Sequence, residues 1–429
     1  MIRKIQIPNI DSGKICQILI FVLVLFFSIG CTTGKIKGLD GSFLGEAVHI
    51  NKNGILIGAP GGVGGGGDLD GLAHLFSPSS EGWNHRNIFK ARHPRKLISY
   101  DFFGDSLSLA ENVALIGAWG DDDNGPASGS AHIFERTQSK WQQTAKLTIP
   151  DTANRSLFGR SVATDGSVAV VGAPGANRST GKLIPISGWS GNVYIWSKEK
   201  TGWQFQQKLT PGLLSTPASM DDWVWSFGNE VAVAEDIIVI SAHQGTLSPG
   251  QVYIFRRHNK TWTREAILDS KLKGFATSIA IFNETIAVAA YKTIFIYTYS
   301  NGDWRMQAML KPNASGEETG FQFGGALAID NNILVAGAAR YKNKEGAAYV
   351  FERTGSDWKQ IAILAGLDTR SSRGTSSGDL FGGSVSIYGN TIVIGAGFHD
   401  SEGPNNGAAY VFVQEGSKWI QRAKLTAPK

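Results

Sequence analysis

Cysteine is nearly absent from this chain. Its 429 residues hold two, Cys16 and Cys31. If a leader is cleaved no pair remains, which excludes a disulfide framework. Long runs of basic charge are missing too, and the formal net charge is +5. Removing residues 1–30 takes away Arg3, Lys4, Lys14 and Asp11 and leaves about +3. That balance does not call for a nucleic-acid partner. No H-E-x-x-H pair or phosphate loop ending in G-K-[ST] occurs. What the chain has instead is glycine, 53 residues of it, and aromatics at 10%. This is the composition of a turn-rich globular protein rather than a disordered or fibrous one.

One pattern recurs in seven copies. A bulky apolar residue precedes a small one at Leu44, Phe103, Phe158, Phe227, Phe275, Phe323 and Phe381. Fourteen residues later comes a small pair, for example Gly58-Ala59, Gly172-Ala173, Ser241-Ala242, Ala289-Ala290 and Gly395-Ala396. An aromatic then closes an apolar run, from Phe76 to Phe412, and a tryptophan follows seven residues after each aromatic. A repeat with two invariant spacings decides the fold before any local reading.

The last copy reads as four strands. Ser384–Ile387 alternates polar and apolar residues, Gly389-Asn390 suits a two-residue hairpin turn, and Thr391–Ile394 is β-branched throughout. Ala408–Val413 and Lys418–Leu425 supply the third and fourth. A lone four-stranded meander cannot cover both of its faces, so copies must stack. Radial stacking of such sheets is the β-propeller. The expectation is all-β: a seven-bladed β-propeller of four-stranded antiparallel blades over residues 44–429, each strand-D tryptophan packing between blades. Blade 5, with Ala276, Ala289 and Ala290 where glycine is usual, is expected to be the weakest.

Phe-Gly followed by Gly-Ala-Pro, complete at Gly58-Ala59-Pro60 and Gly172-Ala173-Pro174, resembles the signature of bacterial FG-GAP repeat proteins and, more distantly, the propeller of integrin α subunits. The resemblance implies the propeller fold and ligand binding on one face. Integrin propellers hold calcium in acidic loops between strands A and B. Here those links are tight turns, so no residue inherits that role. The last copy also has its own fourth strand, Trp419 to Leu425, which leaves open how the ring closes.

The N-terminus resembles a bacterial lipoprotein signal. A polar segment with Arg3, Lys4 and Lys14 precedes the apolar run Ile18–Phe27, then Ser28-Ile29-Gly30-Cys31. That resemblance implies a signal peptide over residues 1–30, acylation of Cys31, a tether over 31–43 and a lipid anchor in the cell envelope, at the outer membrane or cell surface. The alternative is an uncleaved anchor over Ile15 to Ile29.

Loop lengths separate two faces. The A–B and C–D connections are constant, whereas B–C and D–A vary widely, and variable loops on a rigid scaffold are where binding resides. Trp119, Trp189, Trp223 and Trp225 all fall in variable-face loops of blades 2 to 4, accompanied by Asp121, Asp122, Asp123, Asp221 and Asp222. Together they are the candidate binding patch for a protein or glycan. The alternative is that these rings fill small private cores under their own loops.

Metal chemistry has little support. Asp68-Leu69-Asp70-Gly71 and Asp121-Asp122-Asp123-Asn124-Gly125 miss the calcium-loop spacing, and Asp400 with Glu402 is weaker still. No cofactor is expected, with calcium at these acidic loops as the weaker alternative. Arg92, His93, Arg95 and Lys96 form a small basic cluster between blades 1 and 2. The functional expectation is a non-enzymatic binding or adhesion-like module. Glu46, Asp105 and Arg160, adjacent in blade order at the strand A starts, keep open a polysaccharide lyase or hydrolase. A structural envelope protein without a discrete ligand is the third reading.

Overall fold

Seven four-stranded antiparallel sheets make up the protein, each a meander of consecutive strands. The computed structural model describes residues 41–61, 70–91, 100–138, 140–151, 155–176, 191–212, 226–243, 249–313, 322–369, 378–400 and 405–428. In the first blade the strands are β1 (Val48–Asn51), β2 (Gly54–Ala59), β3 (Leu72–Ser79) and β4 (Gly82–Phe89). The seventh repeats them as Ser384–Tyr388, Thr391–Ala396, Ala408–Glu415 and Lys418–Leu425. One helical turn, α1 (Tyr341–Lys344), interrupts the B–C link of blade 6.

Burial follows position in the blade. Strand B of blades 1, 2, 3 and 5 is buried along its whole length, whereas strand D mostly alternates exposed and half-buried residues. The short inner A strands pack on one another around the axis, the first against the last included. Hydrophobic side chains gather into seven clusters, and each spans two neighbouring blades. Every cluster takes in the strand-D tryptophan of the later blade: Trp83, Trp141, Trp203, Trp262, Trp304, Trp358 and Trp419. Trp262 and Trp304 are 2% and 7% exposed. Burying such a ring contributes about 1.5–3 kcal/mol.

The repeated signature has a steric cause. Phe43 accepts a hydrogen bond through its carbonyl from the Glu46 amide at 3.1 Å, a turn whose third residue, Gly45, has φ +95°. A turn of that kind requires glycine there. The carbonyl of Gly45 then points at Gly395 of the preceding blade, so closely that a Cβ on Gly395 would overlap it. The two signature glycines therefore face each other across a blade junction. Gly58 meets Gly104, Gly117 meets Gly159, Gly172 meets Gly228 and Gly337 meets Gly382 in the same way.

The ring closes by this same contact. Leu44 bridges Gly407 of the last blade in parallel, as Phe158 bridges Gly129 and Phe381 bridges Gly346. The Ser384 hydroxyl donates to the Gly45 carbonyl at 2.8 Å, and the Ile50 amide donates to Ser386 Oγ at 3.1 Å. Each blade is complete in sequence, and among the described residues no strand is exchanged between the first and last repeats.

The invariant seven-residue step is a hairpin with a bulge. Phe76 pairs with His85 and Leu75 with Asn87, so Arg86 is the extra residue, and Trp83 is the second residue of strand D. All seven C–D hairpins carry this irregularity at the equivalent place.

Candidate functional site at the channel mouth

The turn that starts each A strand sets the next residue at the axial end of the variable face. In blades 1 to 4 that residue is Glu46, Asp105, Arg160 and Asn229; in blades 5 to 7 it is Thr277, Gly325 and Gly383. The charged side chains are thus confined to one side of the ring.

Asp105 is the hub of the charged side. Its Oδ2 accepts the Arg160 guanidinium at 2.5 Å and the indole N–H of Trp119 at 3.0 Å. The Trp119 ring lies parallel to Phe102, with centroids 4.4 Å apart and planes 5° from parallel. Tyr100 stacks on the other neighbour of that pair, 6.4 Å from Phe102, and is 40% exposed. Three aromatic rings therefore form a ladder in blade 2 that ends on an ion pair bridging blades 2 and 3.

Blade 4 adds a second polar group. Asn229 Nδ2 lies 2.9 Å from His243 Nε2. Glu230 occupies the place held by Ser106, Ser161, Ser278 and Ser384 in other copies. Its Oε2 accepts the Ile279 amide of blade 5 at 2.9 Å.

Confinement perturbs these groups. Burial, reinforced by the Asp105 charge and opposed by Arg160, pushes the Glu46 carboxyl up to about 7. Glu46 is exposed to water, which screens part of this shift. Burial also pushes Glu230 up to about 7, with its hydrogen bond from Ile279 and the Arg160 charge acting the other way. His243 is pushed down to about 4 by burial and by Arg160. One guanidinium of blade 3 thus influences a carboxyl of blade 1 and a carboxyl and an imidazole of blade 4. Carboxyls near 7 exchange protons readily at neutral pH.

Of the residues singled out by sequence, Trp119 is half-buried and belongs to this mouth. Asp121 is 2% exposed. It accepts from Ser130 Oγ at 2.5 Å, from Lys146 Nζ at 2.7 Å and from the Asp123 amide at 2.9 Å. Asp123 accepts from the same Lys146 at 2.5 Å, so an ammonium lies between the two carboxylates. These contacts hold Asp121 below the usual carboxylate range despite its burial. The arrangement recurs where Lys208 and the Tyr194 hydroxyl meet Asp151, and where Lys424 and the Tyr410 hydroxyl meet Asp368. Asp121 and Asp123 therefore pin a loop to strand D, while Asp122 is exposed. Trp189, Asp221, Asp222, Trp223, Trp225, the Arg92–Lys96 cluster and Cys31 lie outside the described residues. Among the described residues no group of three or more His, Cys, Asp or Glu is placed to hold a metal ion.

Sequence reasoning did not find Phe102, Tyr100, Glu230 or the Asn229–His243 pair. The signal for Phe102 was the doubled Phe102-Phe103 before Gly104, of which the repeat explains only the second. The signal for Glu230 was an acid at a serine position.

The FG-GAP repeat family model matches residues 98–134, 141–196 and 358–412. These matches and the seven sheets identify an FG-GAP-repeat propeller fold. No curated protein matches the chain in sequence. Among solved structures, a crystal structure of a Lactobacillus plantarum protein is similar at 12% identity with a TM-score of 0.53. The match covers 88% of this chain and 97% of that one, and it speaks to fold alone.

Proposed function

We propose that the protein is a cell-envelope binding lipoprotein that takes a protein or glycan ligand on its variable-loop face, without performing chemistry on it. The observation that carries this reading is the ladder Tyr100–Phe102–Trp119 ending on the Asp105–Arg160 pair. An exposed aromatic edge beside a fixed donor and acceptor suits a ligand with an apolar face and hydroxyl or amide groups, as a sugar ring has. Trp189, Trp223, Trp225, Asp221 and Asp222, from the long loops of blades 3 and 4, would extend the same face. Acyl chains on Cys31 would hold the propeller at the outer membrane or cell surface, two or more chains being needed for a lasting anchor.

A glycan array and an envelope pull-down with the full chain test the reading. Tyr100→Ala with Trp119→Ala is expected to weaken the captured ligand by tenfold or more, roughly the effect of losing an aromatic hot spot. The propeller's circular dichroism should be unchanged. Full retention of binding by that double variant would sink the proposal.

One observation favours a second reading. Glu46 and Glu230, both pushed up to about 7, have the acidity of a general acid or base. A polysaccharide lyase or hydrolase at the mouth would release new chain ends from a bound glycan, and Glu46→Gln would abolish that release.

A further inference from the structure

The blade junctions differ in how they treat the strand-D tryptophan. Glu265, the bulge residue of blade 4, accepts the indole N–H of Trp304 at 2.9 Å. Gln307, the bulge residue of blade 5, accepts that of Trp358 at 3.1 Å. Between blades 2 and 3 the acceptor is Glu135, next to the strand-C aromatic, at 2.6 Å from Trp203.

The junction of blades 1 and 2 has no carboxylate or amide at either place, and the indoles of Trp262 and Trp419 at two other junctions also lack a partner among the described residues. Its bulge residue is Arg86, which only donates. The residue after the strand-C aromatic is Ser77, whose hydroxyl donates to the Asn53 carbonyl at 3.2 Å and accepts nothing from Trp141. The Trp141 N–H thus meets no acceptor among the described residues. Arg136 and Lys140, from the exposed hairpin of blade 2, line the same open groove of ≈ 560 Å³. None of the three cations forms an ion pair among the described residues, and no carboxylate lines the groove. Glu111, the acid that feels Arg136, is held by Lys52 at 2.6 Å. Two guanidiniums, an ammonium and an indole therefore line one groove, beside the neutral side chains of Ser77, Asn87 and Gln142 and no carboxylate. Guanidinium forks match the oxygens of a phosphate, and charge-assisted bonds of this kind are the strong ones.

We propose that the groove between blades 1 and 2 binds a phosphate ester, its oxygens on Arg86, Arg136 and Lys140 and its organic part against Trp141. The site is on the outer side of the ring and is independent of the variable-face reading. The ester could be carried by a glycan or by a lipid headgroup, and the two sources are separable with small probes.

Calorimetric titration of the full chain in neutral detergent with glucose 6-phosphate, glycerol 3-phosphate and inorganic phosphate is the test. Binding of at least one ester is expected, weakening as salt is raised. Arg86→Glu should weaken it at least tenfold with the fold intact, since blade 4 already carries a glutamate at this bulge. Arg136→Gln, at an exposed position, should weaken it several-fold and serves if the first variant misfolds. A preference for the hexose ester assigns the site to a glycan, and a preference for the glycerol ester assigns it to a headgroup. Absence of binding to all three probes, or equal binding by both variants and the parent, would overturn the proposal.

Discussion

Gly395 in the last blade faces the carbonyl oxygen of Gly45 in the first, and a single added methyl at Gly395 would overlap that oxygen. Ser384 of the last blade donates to the same oxygen. Backbone cannot retreat there, because Leu44 and Gly407 are bridged on the adjacent side.

Gly395→Ala is therefore expected to destabilise the protein by about 3 kcal/mol, the upper range for overpacking a rigid contact. Gly416→Ala provides the contrast. It sits in a C–D turn with φ +60° and open space around it, so only the left-handed backbone is penalised, at about 1 kcal/mol. Urea unfolding of the two variants should rank them in that order, and equal midpoints would refute the junction argument.

The channel mouth should make stability depend on pH through Glu46. Its folded-state acidity is near 7, above the ordinary 4.5, so the native state binds the proton more tightly than the unfolded chain. Stability from this group is lost as pH rises from 4.5 through 7. His49, His74 and His243, each pushed down to about 4 mainly by burial, act oppositely between 4 and 6.5. A parent-versus-variant difference isolates the carboxyl: Glu46→Gln should be more stable than the parent above pH 7, with the advantage shrinking towards pH 4.5. The measurement is Tm against pH, and a constant offset across that range would refute it. Arg160→Gln should raise the pKa values of Glu46, Glu230 and His243 together in an NMR titration.

Blade 5 should exchange its amides fastest. Ala276 stands at the signature glycine position with φ +68°, a backbone that costs an alanine about 1–2 kcal/mol. Ala289 replaces the facing glycine of the next junction, and Lys292, with φ +55°, stands in the minimal B–C link. Hydrogen exchange finding the strands of blade 5 as protected as those of blade 7 would count against the expectation.

Membrane attachment should depend on Cys31. Cys31→Ser is expected to lose acyl labelling and to leave the detergent phase on phase separation. Unchanged partitioning with an intact N-terminus would favour the uncleaved anchor over Ile15 to Ile29.

The architecture was legible because its causes are periodic. The signature glycines, the strand-C aromatic and the strand-D tryptophan each do the same steric task in every blade, so they recur at fixed spacing. The glycine before strand C does a repeated task as well, as Gly129, Gly346 and Gly407 show, but a loop of variable length precedes it and hides the spacing. The site was less legible because it is built from departures. Asp121 and Asp123 read as free acids until Lys146, 23 residues beyond Asp123, is seen between them. Phe102 was concealed by the repeat residue beside it, and Arg86 by a bulge that alternation alone does not reveal.

Because every blade is complete in sequence and the first and last meet through the same contact as the others, the chain has no privileged seam. A circularly permuted protein, with residues 425 and 42 joined through a short linker and new ends opened between Asp269 and Lys273, would keep all seven sheets whole. Whole repeats could likewise be duplicated or lost in evolution without cutting a strand from its sheet, so blade number is a quantity that this kind of gene can change in single steps.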